Sequence, residues 1–349
     1  MRTGAQLDVE YLTLAALAAS RPRDMSDVLG IAAFASDRPT LASGDTPLIW
    51  VATPPLGNSA DVCEVWRSSG VVRSGRAGLV QYRTDGQVVF GCASLSESGS
   101  HSNGAGAAEL AAVAEQVYAE VFACLSQLGF PHLLRIWNYL PEINRETGGI
   151  ERYRCFNEAR QRSFAAFRRA TRGNVPAACA LGSAAGSPVV VYFIAAGADA
   201  IAIENPRQVS AYDYPAEYGA SSPTFSRATL ARSGGEALLF VSGTASIVGH
   251  RTEHAGDVSA QTRETARNLA ALIERANHAA GQTLFATEDL KYKAYLRRPD
   301  DLTAVAQEIA NTLRPSDEVV YLTADICRSD LLVEIEAVGT ADGTRRRAK

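Results

Sequence analysis

The order of secondary-structure signals in the C-terminal third of the chain constrains its fold most strongly. Between residues 258 and 279 apolar side chains recur at helical spacing, with Leu269, Leu272 and Ile273 on the stripe expected to be buried. The predicted elements are strands at 237–246, 290–297 and 319–322, helices at 258–279 and 301–313, and a last strand within 323–336. This order, with hairpins before it, indicates a mixed sheet with helices packed on one face.

The first half of the chain shows a similar order. Short valine-rich runs split by glycines predict hairpins between residues 62 and 90, with a turn at Asp85-Gly86. A strand at 133–139 would place Arg135 on one face with Trp137 and Tyr139. The other elements predicted in this half are helices at 107–129 and 150–169 and strands at 188–194 and 200–204.

Two related α+β domains are the simplest account of this repetition. We place them at residues 1–170 and 171–349, and the chain of 349 residues has the usual length for two domains. Residues 1–45 carry few periodic signals and read as strands and loops. Prolines such as Pro39 and Pro47 argue against a long helix there.

The last predicted strand carries two carboxylates. Side chains alternate along a strand, so Leu331, Val333 and Ile335 would take one face. The opposite face would carry Leu332, Glu334 and Glu336. Spacing alone fits an amphipathic edge strand with its acids in water as well as a strand that brings acids into a site.

Charge and hydropathy exclude several classes of protein. The net charge is −4, and the one basic run, 345–349, is a short terminal tail, so the basic face that nucleic-acid binding needs is missing. The sequence has no apolar run of about 20 residues, as a membrane span requires, and no signal-peptide pattern at its start. We therefore expect a cytoplasmic protein with neither nucleic-acid nor membrane partners.

The cysteines and histidines do not form a metal-binding pattern. The six cysteines include no Cys-x-x-Cys pair, so reduced thiols are expected. His250 and His254 are the one close histidine pair, and they lie in a predicted loop rather than on a helix face. We predict no metal site.

Two segments carry residues suited to bind an anion. Tyr153, Phe156 and Arg160 share one stripe of the helix predicted at 150–169, where tyrosine and arginine together could bind a carboxylate. The alternative is a solvent-exposed arginine on an arginine-rich helix. The loop at 212–228 holds Tyr214, Tyr218 and Arg227, and aromatic loops of this kind favour a ligand wall.

The motifs in the second half resemble a known fold family. Residues 240–336 resemble the trimeric RidA (YjgF) proteins, whose fold is also described as chorismate-mutase-like. The segments that carry the resemblance are 241–243, 256–257, 261–262, 268–269, 292–297 and 334–336. The resemblance implies two domains of this type in one chain, and it leaves a homotrimer or a monomer open.

A larger resemblance extends over the chain from about Glu64, and it is to the chorismatases, which remove pyruvate from chorismate. The matching motifs are 135–139, 143–144, 153–160, 204–206, 214–219, 225–228, 249–252 and 330–336. It implies chorismate as substrate, no metal and no organic cofactor. It also implies that Tyr153, Arg160, Tyr214 and Arg227 bind the two carboxylates of the substrate, since guanidinium groups and phenols donate hydrogen bonds to carboxylates.

The resemblance also assigns the chemistry of the last strand. Glu334 falls on the acid/base carboxylate of the family. Gly243 and Cys327 match the subfamily that makes 3-hydroxybenzoate by an intramolecular route, whereas the hydrolytic subfamily, which makes a dihydroxycyclohexadiene acid, has alanine at both positions. Glycine would leave room for the ring, and cysteine would occupy space where water could otherwise lie.

Three alternatives follow from the same residues. The first is the hydrolytic chorismatase reaction. The second is a RidA-like small-molecule binder without catalysis. The third is an imine/enamine deaminase, in which Arg328 would bind the substrate carboxylate.

Overall fold

Three large β-sheets organise the protein. A computed structural model describes residues 6–20, 25–40, 44–57, 61–98 and 105–342. The sheets have four, six and six strands and follow one another along the chain. The basic run 345–349 lies outside the described residues.

The N-terminal sheet has the strand order β1-β4-β2-β3 and one short helix. Its elements are β1 (Leu7–Leu12), α1 (Leu14–Ser20), β2 (Val28–Ala35), β3 (Leu48–Val51) and β4 (Asp61–Ser68). Leu17 of α1 packs against Ile31 and Val65, so the helix covers one face of this sheet. The sequence predicted strands and loops here without their arrangement.

The second sheet has the order β11-β8-β12-β7-β6-β5. Its strands, with two long helices and a small hairpin, are β5 (Arg73–Ala77), β6 (Val80–Thr84), β7 (Val88–Leu95), α2 (Ala105–Leu128), β8 (His132–Pro141), β9 (Glu146–Thr147), β10 (Ile150–Glu151), α3 (Arg152–Ala166), β11 (Ala177–Ser183) and β12 (Val189–Ala196). The predicted turn at Asp85-Gly86 joins β6 to β7, with Gly86 at φ 88°.

The third sheet has the order β13-β14-β15-β20-β18-β19. The elements of this part are β13 (Ala200–Ile203), β14 (Ala228–Ser233), β15 (Glu236–Ala245), β16 (Ile247–Val248), β17 (Arg251–Thr252), α4 (Val258–Ala280), β18 (Lys291–Leu296), α5 (Leu302–Thr312), β19 (Val320–Thr323) and β20 (Val333–Asp342). The limits of α4 follow from its caps: Asp257 accepts a hydrogen bond from the amide of Ala260 at 2.9 Å, and Gly281 adopts the left-handed conformation.

The second and third sheets are two copies of one topology. In each, three antiparallel strands are followed by a helix, a strand, a second helix, a strand parallel to the previous one and a final strand inserted at the centre. The expected α+β class with two related domains is confirmed. The change from one sheet to the other falls between Ala196 and Ala200, later than the predicted boundary after residue 170, because β11 and β12 pair with β8.

Helices cover one face of each six-stranded sheet, and the opposite faces meet in a common core. The helices α2 and α3 pack on the second sheet and α4 and α5 on the third. In the common core Trp66 of the N-terminal sheet lies 5.8 Å from Trp137 and 6.0 Å from Phe240, measured between ring centroids. One aromatic ring from each sheet therefore meets at the centre of the molecule.

The strand that carries the two carboxylates is central. β20 pairs with β15 on one side and with β18 on the other, so the edge-strand interpretation is wrong. Glu334 and Glu336 are each only 4% exposed. Leu331 and Leu332 precede the strand and pack in the common core and on the helix side respectively, the reverse of the predicted alternation.

Candidate active site

A cavity of about 320 Å³ lies where the two halves of the chain meet. Its wall combines the start of α3, the aromatic loop before β14, the end of β15 and the segment from Cys327 to β20. Six of the seven residues predicted from the sequence line it: Tyr153, Tyr214, Arg227, Gly243, Cys327 and Glu334.

Glu334 is a buried acid in the wall of this cavity. The register of β20 places it opposite Ala245 on one neighbouring strand and Tyr295 on the other. Burial raises the pKa of Glu334 to about 8, and the charge of Glu336 adds to the rise, whereas Arg135 and Arg227 act in the opposite direction. The carboxyl is therefore protonated at neutral pH and can donate a proton to a bound molecule.

Gly243 lies directly against the carboxyl group of Glu334. The pairing of β15 with β20 shifts between Val241 and Thr244, which is a β-bulge next to the site. A Cβ atom at position 243 would stand 1.8 Å from Oε1 of Glu334. The glycine is thus required by the close approach of the acid, and an alanine there would force this carboxyl to move.

Arg227 and Tyr214 form one side of the cavity. Nη2 of Arg227 donates to the hydroxyl of Tyr214 at 2.7 Å and to the carbonyl of Val209 at 2.8 Å. The guanidinium also lies 5.3 Å from the ring centroid of Phe225. Its Nε, which is buried, has no hydrogen-bond partner among the described residues. An acceptor on a ligand would satisfy this donor.

Arg160 is buried in α3 and does not line the cavity. It is 1% exposed, so the solvent-exposed alternative is wrong. Its Nη2 donates to Oδ1 of Asn157 at 2.8 Å, and its Nε is another buried donor without a partner among the described residues. Burial raises the pKa of the Tyr153 phenol, and Cys327 adds to the rise while Arg160 lowers it, so the cavity residue Tyr153 lies close enough to the arginine to interact with it.

Cys327 lines the same cavity as Glu334 and holds a neutral thiol. Burial raises its pKa to about 12, and the carboxylate of Glu334 contributes to the rise. A thiol held neutral is a poor nucleophile. The thiol is therefore better suited to fill space in the cavity wall with a weakly polar group than to react.

Arg328 lines the cavity and is held in place by several contacts, which the sequence did not indicate. Its guanidinium stacks 4.0 Å from the ring centroid of Tyr218 and 5.0 Å from that of Tyr214. Nη1 donates to the carbonyl of His250 at 2.8 Å, and Nη2 is buried without a partner among the described residues. In the sequence, Arg328 stands next to Cys327, which was the available signal. We assigned Arg328 only to the deaminase alternative.

Sequence reasoning missed a buried cluster of charges behind the site. Lys293 forms ion pairs with Glu64 and Glu336, and Arg135 forms one with Glu336. Two lysines that alternate with apolar residues in β18 were the available signal, because a lysine on the inward face of a central strand needs a buried acid.

Within the described ranges, which omit His101, the structure brings no three potential metal ligands together, and none of their helices is long and apolar enough to cross a membrane.

Fold and site together define an enzyme that acts on a small anionic molecule. A protonated carboxyl group lies in a cavity whose wall carries several arginine and tyrosine side chains. Such an arrangement suits proton transfer to a substrate held by its own carboxylates.

Comparisons with known proteins identify the family. Residues 64–195 match the family model for the N-terminal part of FkbO/Hyg5-like chorismatases. A 3-hydroxybenzoate synthase of Streptomyces hygroscopicus is 35% identical over 89% of this chain and 91% of its own length. A chorismatase of Streptomyces rapamycinicus is 37% identical over 79% of this chain and 81% of its own length. The chain belongs to the chorismatase family.

A solved structure agrees with this assignment. A chorismatase crystal structure matches with a TM-score of 0.85 and 30% identity, and the match covers 97% of this chain and 99% of that one. The N-terminal sheet, for which the sequence carried no motif, is therefore within the matched part of the chain.

Proposed function

We propose that this protein converts chorismate to 3-hydroxybenzoate and pyruvate, with Glu334 as the acid/base group. The observation that carries the proposal is the buried, protonated carboxyl of Glu334 in a cavity with Arg227, Tyr214 and Tyr153. Relatives named 3-hydroxybenzoate synthase and chorismatase, at 35% and 37% identity, support the substrate.

The proposed reaction begins with proton transfer. Glu334 donates its proton to the terminal methylene carbon of the enol ether, and the bond between ring C3 and the ether oxygen breaks as that oxygen becomes the ketone of pyruvate. The 4-hydroxyl oxygen attacks C3 and loses its proton to the Glu334 carboxylate, which restores the acid. The arene-oxide-like intermediate then opens at C4 and aromatises to 3-hydroxybenzoate. The two products contain all the atoms of chorismate, so this route consumes neither water nor a cofactor.

The two carboxylates of chorismate need two sets of donors. We assign Arg227 with Tyr214 to one, because both residues line the cavity and the Nε of this arginine has no hydrogen-bond partner among the described residues. Tyr153, whose phenol interacts with Arg160, is assigned to the other. Arg160 would act through Tyr153 or after a change of its side-chain conformation, since it is outside the cavity wall in this structure.

Incubation with chorismate and separation of the products tests the proposal. We expect 3-hydroxybenzoate and pyruvate in equal amounts. A non-aromatic diol acid as the main product would instead establish the hydrolytic reaction. No pyruvate at all would favour a binding protein or a deaminase, and release of ammonia from an imine substrate would identify the latter.

Replacing Arg227 with methionine should weaken substrate binding. The side chain keeps its length and its apolar contact with Phe225, but a charged donor to the substrate is lost. Because hydrogen bonds to charged groups contribute about 1.5–3 kcal/mol, we expect KM for chorismate to rise by about 10- to 100-fold. Arg169→Met is the matched control, since that half-buried arginine packs on Phe122 outside this cavity. An unchanged KM in Arg227→Met would remove the arginine from the binding site.

The rate should fall as the pH rises through about 8. The proton donor must be protonated, and the raised pKa of Glu334 sets the pH above which it loses its proton. We expect kcat/KM to be maintained below this pH and to decrease about tenfold per unit above it. A steady-state pH profile with chorismate, recorded where the protein stays folded, measures this directly. A rate that increases through pH 8 would require Glu334 to act first as a base.

The cytoplasmic location and the oligomeric state, either a homotrimer or a monomer, are further proposals. Light scattering on the purified protein separates a monomer from a homotrimer.

A further inference from the structure

Four charged side chains form a closed cluster behind Glu334. Glu64, Arg135, Lys293 and Glu336 are each at most 4% exposed. They come from β4, β8, β18 and β20, and therefore from all three sheets. The cluster contains two acids and two bases, so its net charge is zero when all four are ionised. None of them lines the cavity of the proposed reaction.

Glu336 accepts hydrogen bonds from three side chains that can act only as donors and from one tyrosine hydroxyl. Its carboxylate pairs with Arg135, lies 2.8 Å from Nζ of Lys293 and accepts from Nε1 of Trp137 at 2.9 Å. The hydroxyl of Tyr295 lies 3.3 Å away. Burial alone would raise the pKa of Glu336, but Lys293 and Arg135 outweigh it and hold the pKa below its ordinary value. Glu336 is therefore an anion throughout the neutral range.

Glu334 and Glu336 project from the same face of one strand. Residues two apart in a strand are about 7 Å apart, and no third side chain of that strand face lies between them. The charged or titratable groups that act on Glu334 come from five positions, namely Glu336, Arg135, Arg227, Cys179 and Cys327. Of these, only Glu336 is a carboxylate held ionised next to it.

We infer that Glu336 is a positioning residue for the proposed reaction: fixed as an anion by Arg135, Lys293 and Trp137, it keeps the neighbouring Glu334 in the protonated form that the reaction needs. The inference rests on the proposed role of Glu334. Two ionised carboxylates so close together in a buried site repel each other, and the one with three strong donors keeps its charge. Glu334, whose surroundings supply fewer donors, keeps the proton.

The N-terminal sheet takes part through Glu64. This residue forms an ion pair with Lys293 and accepts from Nε1 of Trp66 at 2.8 Å. Lys293 thus lies between two carboxylates and remains charged although its side chain is fully buried. The N-terminal sheet, none of whose described residues lines the cavity, therefore helps to fix the charge of Glu336.

Opposite shifts of the pH profile test the inference. Glu336→Gln removes the negative charge, so Glu334 should ionise more easily and the alkaline fall of kcat/KM should move to lower pH by about 1–2 units. Arg135→Met removes a positive charge from the same ion pair and leaves Lys293 on Glu336, so the fall should move to higher pH. General damage to the fold would lower the rate in both variants without opposite shifts.

Glu264→Gln is the matched control. Glu264 is also buried and paired with arginines, but it does not act on Glu334. This variant should keep the wild-type pH profile even if it is less stable. Shifts in the same direction in Glu336→Gln and Arg135→Met, or no shift in either, would overturn the inference.

A direct titration separates this inference from the proposed reaction. Carbon-13 NMR of glutamate Cδ in the substrate-free protein, with Glu334→Gln for assignment, reports ionisation without turnover. We expect Glu334 to titrate near pH 8 and another buried glutamate, Glu336, to stay ionised from pH 6 to 9. A Glu336 carboxyl that is neutral at pH 7 would overturn the inference even if the variants do not fold. The expected titration without pyruvate release would refute the proposed function alone.

Discussion

Glu334→Gln should lower the rate of pyruvate release from chorismate by about a thousandfold, because proton transfer by a positioned acid contributes about 10²–10⁴-fold to such reactions. Glutamine has nearly the shape of protonated glutamic acid and can still donate a hydrogen bond from its amide. It cannot donate a proton to carbon. Since Glu334 is buried in a cavity wall that otherwise stays intact, the variant should bind chorismate with a Kd close to that of the wild-type protein.

Two measurements make this result specific. Single-turnover release of pyruvate gives the chemical rate, and tryptophan fluorescence or calorimetry gives the affinity. Glu264→Gln serves again as the control for loss of a buried carboxylate. If Glu334→Gln retained more than about a tenth of the wild-type rate, another group would have to supply the proton.

The elements of the third sheet could be predicted from the sequence because their signals are local. The apolar stripe and both caps of α4 lie within the helix and its neighbours, from Asp257 to Gly281. Its predicted limits differ from the observed ones by a single residue. The bounds of β18, α5 and β19 also agree with the prediction to within about a residue or two.

The burial of Glu334 could not be predicted because distant strands cause it. Ala245 and Tyr295 lie opposite it, and each is far from it in the sequence. The alternation of apolar and polar residues along a strand is the same whether the strand lies at the edge of a sheet or at its centre. Only the resemblance to chorismatases indicated an acid in a site.

The ion pairs behind the site could not be predicted from the sequence for the same reason. Glu64 and Lys293 are 229 residues apart, and their pairing depends on how the N-terminal sheet packs against the third one. Arg160 lies in a helix with many exposed arginines, and its burial results from the packing of α3 against α2. Residue type and spacing do not distinguish it from Arg162, which is exposed.

Replacing Gly243 and Cys327 together with alanine should move the product of this protein toward the dihydroxycyclohexadiene acid. Two physical effects act in the same direction. A methyl group at position 243 would stand 1.8 Å from Oε1 of Glu334, so the carboxyl has to swing away from its present position. Loss of the sulfur at 327, on the same cavity wall, leaves space in which a water molecule can approach the substrate.

The displaced Glu334 would then accept a proton from that water rather than from the 4-hydroxyl of the substrate, and hydrolysis would compete with ring closure. We expect the diol acid to rise from a trace to a major share of the product, measured by chromatography after complete conversion. Gly197→Ala with Cys124→Ala is the matched control, since an added Cβ at 197 contacts nothing among the described residues and Cys124 is a core residue of α2 outside the cavity. The single variants separate the two effects. Gly243→Ala should mainly slow the reaction, because it moves the Glu334 carboxyl. Cys327→Ala should mainly admit water to the cavity. An unchanged product in the double variant would show that neither the position of the Glu334 carboxyl nor the volume of Cys327 decides between the two reactions.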